Sequence, residues 1–137
     1  MGFAARVERA LAVLDKHGNT NNCLADTGCT LSMFTNRMRK YVVNEWEEQR
    51  EWQLAMSNGE AVVTKTMCEF NLPVKCMRGN IVIVKEIGVC DDRVPMNLLA
   101  CAERDVHLTK HNRWIMMTTV TGDKIRVNVP LTDRVPL

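Results

Sequence analysis

Apolar and polar residues alternate in short runs along most of this chain, and clusters of Gly, Asn and Asp separate the runs. Residues 4–14 contain good helix formers, yet Val7, Leu11 and Val13 fall at strand-like intervals. The turn cluster Asp15-Lys16-His17-Gly18-Asn19 follows, and Asn22-Cys23-Leu24-Ala25 then leads into Asp26. Two runs joined this way predict a hairpin, with a strand over at least 10–14. Thr35-Asn36 predicts the cap of a short helix over 37–43. The polar stretch 44–50 reads as a surface loop or an extended helix end. Two half-apolar runs within 52–63 flank Ser57-Asn58-Gly59-Glu60, and Asn-Gly is a strong two-residue turn former, so a second hairpin is expected there.

From Cys68 onward the pattern is strand after strand. Residues 70–76 alternate, and Arg78-Gly79-Asn80 turns. Ile81-Val82-Ile83-Val84 is an unbroken β-branched run, which predicts a strand buried on both faces. Residues 88–93 read as a loop, 96–101 as apolar, and 100–104 as one short helix. Strands are expected over 114–119 and 124–129, around the Gly122-Asp123 turn. Short, closely spaced strands with one or two small helices argue an all-β, barrel-like fold. We place a single domain at 1–131 and a flexible tail at 132–137.

Composition narrows the function. A chain of 137 residues with 46% apolar residues can form one domain with a core, and disorder is not expected. The net charge of +2, from 18 basic and 16 acidic residues, offers no electrostatic reason to invoke nucleic acid or a membrane surface. The densest basic run, Arg37-Met38-Arg39-Lys40, fits a solvated helix face. No segment has the apolar length of a bilayer span, and the first residues match neither a secretory nor a myristoylation signal, so a cytoplasmic, non-secreted protein is expected. The six cysteines are irregularly spaced and several sit in apolar runs, which suits buried, reduced thiols. Cys90, Cys101, His107 and His111 include both zinc-ligand types, and the histidines are spaced as in zinc fingers. The cysteines, however, stand eleven positions apart rather than three to five. Scattered core cysteines and surface histidines are the preferred reading, with a metal-binding interaction domain as a minor alternative.

The candidate chemistry lies in Cys23-Leu24-Ala25-Asp26-Thr27-Gly28-Cys29-Thr30-Leu31. An apolar strand ends in a tight Asp-Thr-Gly turn, where a carboxylate can be held rigidly and still reach a substrate. The plain alternative is an ordinary strand-to-turn junction. Over residues 10–131 the order of features resembles the retropepsin-like aspartic proteases of retroviruses and retrotransposons. Residues 23–34 resemble that family's catalytic strand and loop. Leu54-Ala55-Met56-Ser57-Asn58-Gly59-Glu60-Ala61-Val62 is similar to its flap, and Asn97-Leu98-Leu99-Ala100 falls where the family has an apolar pair followed by Gly.

The resemblance implies a small single-lobe acid-protease barrel acting as a homodimer. Asp26, Thr27 and Gly28 would be catalytic. Met56, Ser57, Asn58 and Gly59 would contact substrate from the flap, and Leu98, Leu99 and Ala100 would form the supporting loop. Leu24, Leu31, Val82, Val84, Leu98 and Leu99 are expected as core rather than substrate pocket. Two Asp26 carboxylates would share one proton, activate a water and hydrolyse a peptide held in extended conformation, with no metal or organic cofactor. Polyprotein processing is the implied role, in the cytoplasm or within a virus-like particle. Residues 124–131 are the implied dimer strand beside the catalytic loop. Two positions depart from the family: Ala100 replaces its Gly, and Ala102 replaces the Asp or Asn that follows two positions later. Those departures keep open an inactive dimerisation or peptide-binding module of the same fold.

Overall fold

The turn clusters punctuate the chain where the pattern placed them. The computed structural model describes residues 7–56, 59–76 and 79–129. In chain order the strands are β1 (Val7–Leu14), β2 (Thr20–Asp26), β3 (Ser32–Phe34), β4 (Val42–Ala55), β5 (Ala61–Lys75), β6 (Ile81–Cys90), β7 (Leu98–Ala100), β8 (Val106–Leu108), β9 (Arg113–Thr119) and β10 (Lys124–Asn128). One short 3-10 helix, Asn36–Tyr41, lies between β3 and β4. The fold is all-β, as expected.

The strands form one sheet in the order β10-β9-β6-β3-β7-β2-β1-β5-β4, with β8 on β9 and a further pairing of β6 with β5. That further pairing closes a ring of β1, β2, β7, β3, β6 and β5, and closure removes the open edges of those six strands. One seam is narrow: β1 meets β5 at the single pair Val13 and Val74, both fully buried. Beyond the ring, β4 extends β5 as a long hairpin, and β9 and β10 extend β6.

Alternation decides what is buried. Along β5, Cys68, Phe70, Leu72 and Val74 point to one face and are each at most 1% exposed. They join Leu11, Val13, Cys23, Ala25, Phe34, Val84, Leu99, Ile115 and Met117 in the main core, where the Phe34 and Phe70 rings pack with centroids 4.5 Å apart. A second cluster under the β4–β5 hairpin gathers Met33, Leu54, Met56, Val62, Met67, Val89 and Val94.

Several expectations are corrected. Residues 44–50 belong to β4 rather than to a loop or helix end. Their register with β5 shifts between Glu47 and Trp52, so that 48–51 face little more than Lys65. Ile81, Ile83 and Ile87 are 54%, 45% and 47% exposed, because among the described residues no layer covers their face of β6 until Val89, which joins the second cluster; Val84, on the other face, is in the main core. The expected helix over 37–43 is a 3-10 turn ending at Tyr41, where the β-branched pair Val42-Val43 enters β4. Residues 88–90 are strand, and the loop begins at Asp91. No helix forms over 100–104: Ala100 ends β7, and the Arg104 side chain donates from Nε to the Ala100 carbonyl, 2.6 Å away, the oxygen that the Arg104 amide would meet in a helix. The expected tail at 132–137 lies outside the described residues, and none of the described helical segments is long and apolar enough to cross a membrane.

Gly88 marks a close backbone approach in the ring. It pairs with Ser32 across the parallel β3–β6 ladder, and a Cβ there would lie 2.4 Å from the Ser32 carbonyl oxygen. Backbone on both sides leaves no side chain to give way. Gly88→Ala is therefore expected to lower stability by about 1–3 kcal/mol, read as a lower urea midpoint at unchanged slope. An unchanged midpoint would show that β3 and β6 have slack.

Candidate active site

Asp26 is the last residue of β2, and its neighbours explain why it is fixed. On one side β1 runs antiparallel to β2; on the other β7 runs parallel, in the register Leu24–Leu98, Ala25–Leu99 and Asp26–Ala100. The expected supporting segment Leu98-Leu99-Ala100 is thus a strand seated directly beside the Asp26 turn. Leu99 is fully buried, Ala100 is buried, and Leu98 packs against the second apolar cluster. Of the other expected core residues, Val84 is fully buried, whereas Leu24, Leu31 and Val82 are half-buried.

The turn is pinned by backbone bonds. The Gly28 N–H donates to Asp26 Oδ1 at 2.9 Å. The Asp26 carbonyl accepts from Cys101 N–H at 3.0 Å and from Cys29 N–H at 3.3 Å, and the Cys29 carbonyl accepts from Ala102 N–H at 3.1 Å. Asp26 and Thr27 are half-buried and Gly28 is exposed. The carboxylate therefore has a set direction and reaches the surface. Neither departure from the family pattern disturbs this arrangement: Ala100 sits within the ladder, and at Ala102 it is the backbone N–H that makes the bond.

The hairpin expected as a flap is present. Gly59 adopts φ +83°, a conformation that favours glycine, and its N–H donates to the Met56 carbonyl at 3.1 Å. Ser57 and Asn58 lie outside the described residues. Met56 is 8% exposed and belongs to the cluster that Cys29, Leu31 and Leu98 also join, so its side chain packs toward the loop that follows Asp26.

The thiols around the turn are poor nucleophiles. Burial pushes Cys23 up to about 12 and Cys101 up to about 11. Cys29, beside the turn, is raised by burial and by the nearby Asp26 carboxylate, and its Sγ donates to the Leu31 carbonyl at 2.8 Å. All six cysteines are free. Three of the four residues weighed as zinc ligands are engaged elsewhere: Cys90 and Cys101 donate to the carbonyls of Thr35 and Leu99, and His107 stacks on Trp114, while His111 is exposed. Among the described residues no group of three or more such side chains is arranged to hold a metal ion. The expected dimer strand, 124–131, contributes β10; in sheet order β9, β6, β3 and β7 stand between it and β2. Pro130 and Leu131 lie outside the described residues.

Sequence reasoning gave Asn97 no role of its own. It is 9% exposed; its Oδ1 accepts from Thr35 N–H at 2.8 Å, and its Nδ2 donates to the Asn22 carbonyl at 3.2 Å. Its own carbonyl accepts from Leu24 N–H at 2.9 Å. One side chain thus ties the start of β7 to β2 and to the end of β3. A polar residue directly before an apolar strand was the available signal.

No protein-family model matches this sequence, and no curated protein matches it. Asn97→Ala should lower stability by about 1–3 kcal/mol, since the half-buried Thr35 N–H loses its partner. Denaturant melts would read this, and a loss below measurement error would mean that water replaces the amide.

Proposed function

We propose that this chain is an aspartic endopeptidase that works as a homodimer, each copy supplying one Asp26. The observation that carries the reading is the seating of Asp26: a carboxylate at a strand end, its Oδ1 bonded to the Gly28 N–H, with the adjacent backbone fixed from β7. Aspartic protease chemistry requires a rigid carboxylate that reaches the surface, and a second one facing it. Two copies meeting at this turn supply the pair.

The two carboxylates then share one proton, because like charges at close range resist joint ionisation. The ionised one takes a proton from a water lying between them. That water's oxygen attacks the scissile carbonyl carbon, and the carboxyl proton passes to the carbonyl oxygen. Collapse of the tetrahedral intermediate breaks the C–N bond and delivers a proton to the leaving amine. The hairpin around Gly59 closes over an extended peptide and bonds its main chain, as in strand addition. Thr27, half-buried in the turn, braces the two catalytic loops against each other. The raised thiols beside Asp26 argue against a cysteine nucleophile at this place. Polyprotein processing in the cytoplasm or within a virus-like particle of a retroelement is the setting that fits this activity. The alternative, an inactive peptide-binding or dimerisation module of the same fold, is separated from it by experiment.

Hydrolysis of a mixed peptide library at mildly acid and neutral pH should occur with the wild type. In Asp26→Asn it should fall by about a thousand-fold or more, while sedimentation shows the variant still dimeric. Activity per protomer should also drop on dilution. A dimeric wild type that cleaves nothing at any pH would establish the inactive module, and equal cleavage by Asp26→Asn would remove Asp26 from the chemistry.

A further inference from the structure

The turn after β7 lies beside a cavity of about 520 Å³, lined among others by Thr30, Ser32, Glu86, Ala100, Arg104 and Lys124. Within that turn Cys101 packs into the main core, while Ala102, Glu103 and Asp105 are exposed. A closed circuit of four polar contacts holds the turn beside that contact. The Ala100 N–H donates to Ser32 Oγ at 2.9 Å. Ser32 Oγ donates to Glu86 Oε1 at 3.3 Å. Arg104 Nη2 donates to the same Oε1 at 2.7 Å, and Arg104 Nε returns to the Ala100 carbonyl at 2.6 Å. Both backbone groups of Ala100 are therefore fastened to side chains that converge on Glu86.

The members come from far apart in the chain: Ser32 on β3, Glu86 on β6, Ala100 on β7 and Arg104 on the turn that follows. The circuit is well shielded, with the Glu86 side chain 9% and the Arg104 side chain 20% accessible. Low accessibility strengthens a charge-assisted pair and makes an unpaired member costly. Ser32 is itself closely packed, since its backbone stands against Gly88 with no room for a side chain there. Ala100 is in register with Asp26, and the next amide, Cys101 N–H, is bonded to the Asp26 carbonyl. Whatever fixes Ala100 thus fixes Asp26 at one remove.

We infer that Ser32, Glu86 and Arg104 are positioning residues for Asp26, a clamp that sets the catalytic turn through Ala100. The catalytic part of this inference rests on the aspartic protease reading; the structural part does not. Arg104 matters as a fork. A lysine keeps the charge but cannot serve Glu86 and the Ala100 carbonyl together. Ser32 matters as a relay, since an alanine leaves the Ala100 N–H without a partner.

The test compares wild type with Ser32→Ala and Arg104→Lys, using amide hydrogen exchange and peptide hydrolysis on the full chain. In both variants the Cys101 amide should exchange about ten-fold faster or more, while the Leu72 and Val84 amides of the β5–β6 ladder keep wild-type rates. In hydrolysis, kcat should fall about ten- to a hundred-fold with KM within about two-fold, because orientation is lost and substrate contacts are not. Unchanged Cys101 exchange, or exchange raised equally throughout the sheet, overturns the inference. So does a local change in exchange with unchanged kcat in an active enzyme. A wild type that cleaves nothing, yet shows the local exchange change in both variants, sinks the protease reading and supports the clamp on the Asp26 turn.

Discussion

Three residues, Leu98–Ala100, hold the centre of this molecule. As β7 they lie between β2 and β3, parallel to the first and antiparallel to the second. A strand this short in the middle of the sheet is held by pairing on both edges and by fastening at its ends, because each buried backbone group left alone costs free energy. Asn97 fastens the entry through Thr35 and Asn22. The Ser32–Glu86–Arg104 circuit fastens the exit at Ala100. The closed ring of strands depends on this insertion, since without β7 the path from β2 to β3 is broken.

The candidate site is a consequence of that constraint. Asp26 ends β2 where β7 also ends, so its carbonyl meets the first amide beyond β7, Cys101, while its carboxylate turns back onto Gly28. Backbone bonds of this kind are short and directional, and they leave the acid oriented without burying it. The apolar hairpin cluster reaches the same place from the other side, through Met56, Leu31 and Leu98. The proposed chemistry asks nothing of the site beyond a fixed carboxylate, a covering hairpin and a second copy.

Much of this was legible in the chain. Turn residues at Asp15–Asn19, Gly59 and Gly122 announced three hairpins, and the abrupt Asp-Thr-Gly announced the acid. What escaped shows where local pattern loses to tertiary context. The charged stretch 44–50 carries no burial signal, because it lies at the sheet edge, where most of its side chains meet solvent. The run Ile81–Val84 looks buried on both faces, yet among the described residues no layer covers Ile81 and Ile83, and β-branching alone suffices for a strand. The expected helix at 100–104 failed because Ala100 was already paired with Asp26, and a side chain rather than an amide took its carbonyl. β8, three residues long, is too short to leave a period. Asn97, Ser32, Glu86 and Arg104 act through partners up to 75 positions away, a separation that no single-sequence window spans.

The central claim is that one site is built from two Asp26 side chains, and subunit mixing tests it most directly. A fixed amount of wild type is equilibrated with increasing Asp26→Asn protein, and peptide cleavage is followed. If both carboxylates are required, hybrid dimers are inactive, and with wild type held fixed the total activity falls in proportion to the wild-type fraction. Activity that stays constant as the variant is added would mean that each Asp26 acts alone, activity that rises would mean that one Asp26 serves a whole site or that Asp26 is not part of the chemistry, and either would contradict the account.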